Sequence, residues 1–141
     1  MDPRRWTWKE ADLPKKLLEK LTGRFLIGIY EAALSAQPAD VPVLVALGDL
    51  YTRQGLVEKG LEIDKRLVEV RPEEPTFHYN LACSHSLLGN IDTAFEALQR
   101  AIQLGYDRFE QLSADPDLEN LRRDVRWRQM LRKLPDNKLS G

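Results

Sequence analysis

VPVLVALGDLYTRQGLVEKGLEIDKRLVEVRPEE, residues 41–74, runs straight into PTFHYNLACSHSLLGNIDTAFEALQRAIQLGYDR, residues 75–108. Laid one above the other, the two 34-residue stretches correspond: Leu47 falls on Leu81, Gly48 on Ala82, Gly55 on Gly89, Gly60 on Ala94 and Leu67 on Ala101. A period of about 34 with small residues at fixed offsets marks a stacked helix–turn–helix unit. The pattern predicts helices over Pro42–Gln54 and Val57–Val70 in the first copy, and over Glu74–Leu88 and Asp92–Leu104 in the second. Asp40 or Val41 starts the first of these. Gly55 and Gly89 fall between the helices of each copy, where one helix must end and the chain reverse. Pro72 and Gly105 close the second helices. Gly48, Gly60, Ala82, Ala94 and Ala101 leave room for a neighbouring helix, where larger side chains would overpack the contact.

The first copy supplies Leu44, Leu47, Gly48 and Tyr51, then Gly60, Asp64, Leu67 and Pro72. The second supplies His78, Leu81, Ala82 and His85, then Ala94, Leu98 and Ala101. Residues 41–108 thus resemble the tetratricopeptide repeat (TPR) family. The resemblance implies an all-α fold, a right-handed α-solenoid of antiparallel helix pairs, with about three repeats and C-terminal capping helices. The copies depart from the family pattern where Asp64 replaces a large apolar residue, His85 a tyrosine and Tyr106 the closing proline. Asp64 suggests a more exposed flank on the first copy.

Around these copies the expected organisation is an N-terminal arm (1–12), one domain (13–134) and a flexible tail (135–141). Within the domain, 13–40 is a divergent unit, 41–74 and 75–108 are repeats, and 109–134 forms capping helices. Trp6 and Trp8 carry much apolar area. They are expected to cap the first helices, and a mobile arm that docks elsewhere is the alternative. Asp12 reads as an N-cap with Pro14 in the first turn. Leu17, Leu18 and Leu21 make a stripe, which Phe25, Leu26, Ile29, Tyr30, Ala33 and Leu34 continue. Gly23 is read as a break, giving a shortened leading helix. A single helix through it is also open, because glycine there costs only about 1 kcal/mol.

The C-terminal part leaves the period. Tyr106, Phe109 and Leu112 suggest a short helix, and Asp115-Pro116-Asp117-Leu118-Glu119 a helix start with acidic residues at its positive end. A last helix follows Asp124, with Trp127, Met130, Leu131 and Leu134 inward. Residues 101–134 resemble the closing segment of bacterial TPR proteins, with Val125 in place of a proline. A stack of repeats needs an end that tolerates water. Arg122, Arg123, Arg126, Arg128 and Arg132 are expected to supply it.

The chain's 141 residues suffice for one domain with a core. The longest apolar runs fall well short of the ~18 residues of a membrane span, and Met1-Asp2-Pro3-Arg4-Arg5 has no apolar leader. The single cysteine, Cys83, excludes an intramolecular disulfide, so a cytoplasmic protein is expected. Net charge is −1. It divides into +3 over residues 1–24, −9 over 25–121 and +5 over 122–141. An acidic middle argues against a broad nucleic-acid surface.

No zinc spacing, phosphate-cradling glycine loop or serine elbow occurs. His78 and His85 share a helix face, on packing positions. Buried structural histidines are expected, with no metal, no cofactor and no enzyme. What is left is recognition. Stacked pairs form a concave groove lined by the first helix of each unit. By the resemblance, that lining is Val45, Ala46, Asp49, Thr52 and Arg53, then Thr76, Tyr79, Asn80, Cys83 and Ser86. The residues suit an extended peptide or a helix. Of the carboxylate-gripping clamp of chaperone-binding TPR domains only Asn80 is present, and Asp49 would repel a carboxylate. The expected function is a protein-binding adaptor or scaffold, acting through the groove or a charged outer face. Small bacterial TPR proteins resembling kinesin light chain suggest a tubulin-like cytoskeletal filament as one partner. The alternative is a self-assembling oligomer, built by end-to-end stacking or arm docking.

Overall fold

The computed structural model describes residues 15–134. Trp6, Trp8, Asp12, Pro14 and the tail after Leu134 lie outside the described residues. Helices α1 (Lys15–Ala36), α2 (Val41–Arg53), α3 (Val57–Val70), α4 (Pro75–Leu87) and α5 (Ile91–Gln103) follow one another, each packed on the next. Together with the short helices that follow they make an all-α solenoid of antiparallel pairs. No strand occurs among the described residues.

Local chemistry sets the ends. Asp40 caps α2 by accepting from the Val43 amide at 3.2 Å. Pro42 sits in the first turn of that helix, where its missing amide hydrogen is not needed. Glu74 accepts from the Thr76 amide at 3.4 Å and Pro75 opens α4. The two turns inside the repeats are the same structure made twice. In the first, the Gly55 amide donates to Thr52 O at 3.0 Å and the Leu56 amide to Tyr51 O at 2.8 Å. In the second, Gly89 donates to Ser86 O at 3.0 Å and Asn90 to His85 O at 2.9 Å. Gly55 sits at φ 76° and Gly89 at φ 78°. This left-handed conformation costs a residue with a Cβ about 1–2 kcal/mol, which is why glycine so often follows a helix end.

The small residues face neighbouring helices. A Cβ on Gly48 would lie 3.1 Å from Ile63 Cγ2, and one on Gly60 would lie 3.2 Å from Thr52 Oγ1. Ala82, Ala94 and Ala101 are fully buried. The core has two clusters. One is built from α1–α3 around Ile27, Leu34, Leu44, Leu47 and Leu67. The other joins α4, α5 and the C-terminal helices around Ala82, Leu98, Leu112, Leu118 and Trp127.

Two expectations change. Residues 15–36 form one 22-residue helix, not a shortened pair. Gly23 does not break it. A Cβ there would run into the Gln54 side chain, so the glycine lets α1 come close to the end of α2. Asp64, expected on an exposed flank, is only 7% exposed.

The C-terminal part comprises α6 (Phe109–Ala114), a 3-10 turn (Pro116–Leu118), α7 (Glu119–Arg122) and α8 (Val125–Arg132). It keeps the repeat's spacing in two contacts. Asn120 Nδ2 donates to Ser86 O at 2.8 Å and Arg126 pairs with Asp92 at 2.6 Å, each across 34 residues. Trp127, Met130 and Leu134 point inward. Arg123, Arg128 and Arg132 meet water, as expected. Arg122 and Arg126 do not stand free in the outer face. Arg122 donates to Leu112 O at 3.0 Å, and the Arg126 guanidinium lies 4.8 Å over the Phe95 ring while gripping Asp92 and Asp124.

Candidate functional site

A groove of about 460 Å³ opens along α2 and α4, the first helices of the two copies. Val45, Asp49 and Thr52 form one side, and Tyr79, Asn80, Cys83 and Leu87 the other. Asp64 and Leu67 of α3 lie between them, and Gln111, Asp115 and Asp117 of the cap close one end. Gly48 also lines it, and an added Cβ would press on α3, 3.1 Å from Ile63 Cγ2.

Of the residues predicted to line a groove, Val45, Ala46, Asp49, Thr52, Tyr79, Asn80 and Cys83 come together here. Three do not. Arg53 turns away and pairs with Asp49 at 2.8 Å. Thr76 lies exposed in the first turn of α4, its amide held by Glu74. Ser86 is fully buried against the cap side, its carbonyl taken by Asn120 and its Oγ without a hydrogen-bond partner. Tyr79 is more a wall stone than a contact residue. It is 3% exposed and stacks on Tyr106 with ring centroids 4.4 Å apart, an arrangement that aromatic pairs favour when the rings are offset.

Sequence reasoning misses the acidic residues of the site: Asp64, Asp115 and Asp117. The available signal is Asp64 at a position that repeats usually keep apolar. Asp64 accepts from Ser84 Oγ at 2.5 Å, across the contact between the two copies. Burial pushes its carboxyl up to about 6, against the pull of that hydrogen bond, because a low-dielectric site disfavours the charged form. Asp115 accepts from Tyr79 Oη at 2.5 Å and caps the following turn through the Asp117 amide at 3.0 Å. Burial, and then the neighbouring Asp115 charge, also raise the Asp117 pKa. Asp49 has Arg53 beside it. No lysine or arginine reaches ion-pairing distance of Asp64, Asp115 or Asp117 among the described residues. Among the described residues the groove is therefore an acidic cavity without a paired cation at these three positions.

Cys83, Asp115 and Asp117 bring ligand-type atoms within 4.8 Å of one another. Their chemistry suits a hydrogen-bond network better than an ion. Both Asp115 oxygens already accept, and burial with the nearby carboxylates pushes the Cys83 thiol up. That moves it away from the thiolate a metal or an electrophile needs. His78 and His85 do not line the groove. His78 Nε2 meets Pro72 O at 2.8 Å, and buried His85 meets Asn90 Nδ2 at 3.2 Å through Nδ1.

The tetratricopeptide repeat family matches residues 75–104, which span α4, α5 and the turn through Gly89. Over 90 residues, 62% of this chain, the sequence is 29% identical to a chloroplastic protein from Arabidopsis thaliana. The match covers 27% of that relative, so the chain spans about a quarter of the length of the curated relative it matches. The repeat supports a role in binding other proteins. No helix among the described residues is long and apolar enough to cross a membrane.

Proposed function

We propose that the chain is a protein-binding module whose groove takes a lysine- or arginine-bearing segment of a partner, extended or helical. The observation that carries this is the set of carboxylates around one cavity, of which Asp64, Asp115 and Asp117 have no cation within ion-pairing distance among the described residues. A buried carboxylate without a counter-charge is costly to a folded protein. A partner's ammonium or guanidinium would supply the missing charge, in a recess where the attraction exceeds that at an open surface. Asn80, exposed on α4, offers an amide to the partner's backbone. Neither the repeat nor the relative speaks for a tubulin-like filament.

The test is titration calorimetry with a lysine-rich peptide and its glutamate counterpart, at low and high salt. The lysine peptide should bind, the glutamate peptide should not, and salt should weaken the complex. Asp117→Asn with Asn80→Ala should lower affinity by about tenfold, the scale of one or two partly exposed polar contacts. Equal binding of the two peptides would move the partner's site off this groove.

A further inference from the structure

Helix α1 is apolar on two faces. One, with Ile27 and Leu34, is buried in the core of α1–α3. The other is not covered: Leu17 is 43% exposed, Leu21 50%, Phe25 69% and Ile29 48%. These residues are four apart, so they form one continuous ridge. Gly28, Ala32 and Ala36 lie on the same face, and nothing stands within 4 Å of where a Gly28 Cβ would be. At about 100° per residue the face spans roughly a third of the helix circumference, and no charged residue falls within it. Solenoids end in polar surfaces, and the opposite end of this one exposes Arg123, Arg128 and Arg132. The exposed face of α1 does not have the polar surface of such a cap.

We infer that this face pairs with the same face of a second copy, α1 against α1 and antiparallel, with the two-fold axis passing beside Phe25. The order of side chains along the helix selects that occupant. Large residues, Leu17 and Leu21, fill its first half, and small ones, Ala32 and Ala36, its second. An antiparallel copy sets Leu17 level with the partner's Ala32 and Ala36, so the bulky start of one helix meets small residues of the other, while Phe25 and Ile29 pack as large residues near the axis. The flanking charges agree. Lys20 and Glu31 border the same edge of the face, five and six residues from Phe25, with Arg24 between them beside the axis. Two-fold pairing therefore brings Lys20 level with the partner's Glu31, twice over. A parallel pairing would bring opposite edges of the two helices together, so that Lys20 would not meet Glu31, and would set the bulky halves level with each other.

Sedimentation velocity on the full chain should show a dimer that dissociates on dilution, because protomer concentration controls the equilibrium. Phe25→Glu should give a monomer with unchanged helicity. Phe25→Cys, placed beside the axis, should form an interchain disulfide under mild oxidation, since the two sulfurs would come within bonding reach. The wild type, with its one buried Cys83, should not. Three results would each overturn the inference: a wild-type chain still monomeric at roughly 100 µM, a dimer indifferent to Phe25→Glu, or a dimer whose Phe25→Cys variant does not cross-link. The first would mean that residues 1–14 or a different protein covers the face.

Discussion

Asp64 is the residue on which fold and groove make opposite demands. Its carboxyl is raised from 3.8 to about 6, so between these values the folded chain holds a proton that the unfolded chain has released. Proton uptake on folding means that this group's contribution to stability falls as pH rises through that window. At neutral pH the ionised form costs up to roughly 3 kcal/mol, at 1.36 kcal/mol per pKa unit. Asp64→Asn keeps an oxygen to accept from Ser84 and removes the charge. The variant should melt higher than the wild type at pH 7.5 and equal it near pH 4. His85, whose pKa is pushed down by burial, acts in the opposite sense at mildly acid pH, but it is common to both proteins and cancels in the difference. A variant that melts lower at pH 7.5 would mean that Asp64 is a stabilising link and not a charge held for a partner. Gly48 tests packing at the same scale. Ile63 Cγ2 stands only 3.1 Å from an added Cβ. Gly48→Leu should therefore cost at least about 1–3 kcal/mol in denaturant unfolding, the usual range for overpacked contacts. An unchanged midpoint would disprove the register of α2 on α3.

Among elements, the cap shows how a period can persist after its sequence signature fades. Nothing in residues 109–134 repeats the glycines and alanines of the copies, yet Asn120 reaches Ser86 and Arg126 reaches Asp92 one period back. Arg126 joins α8 to α5 through an ion pair and a cation–π contact, and joins α8 to its own N-cap through Asp124, whose carboxyl it holds down at about 2. Arg126→Ala should therefore lower the melting temperature and speed proteolysis after Asp124. Arg128→Ala, on an exposed position, serves as the control and should do neither. The repeats were legible in the sequence because their small residues act locally and recur: Gly55 and Gly89 each announce the same turn. The acidic site was not legible. Asp64 lies in α3 and Asp115 before the 3-10 turn, and no spacing rule connects them until the helices have stacked. Gly23 misled for a related reason. From sequence its missing side chain reads as a break, whereas in the fold it is room for Gln54.

At the scale of the whole molecule, the two clusters of buried residues meet across α3 and α4, where the Asp64–Ser84 hydrogen bond crosses. Solenoid stability is a sum of unit and nearest-neighbour terms, so the halves need not open together. Hydrogen exchange on the free protein should resolve two tiers of protection, with α1–α3 exchanging faster than α4–α8. A single tier would show that the α3–α4 contact is as strong as the cores it joins. The groove spans that same seam. A cationic segment lying between Asp49 on one half and Asp117 on the other would act as a splint across a hinge. Its arrival would be reported by slower exchange throughout the weaker half, including amides far from any contact with the guest.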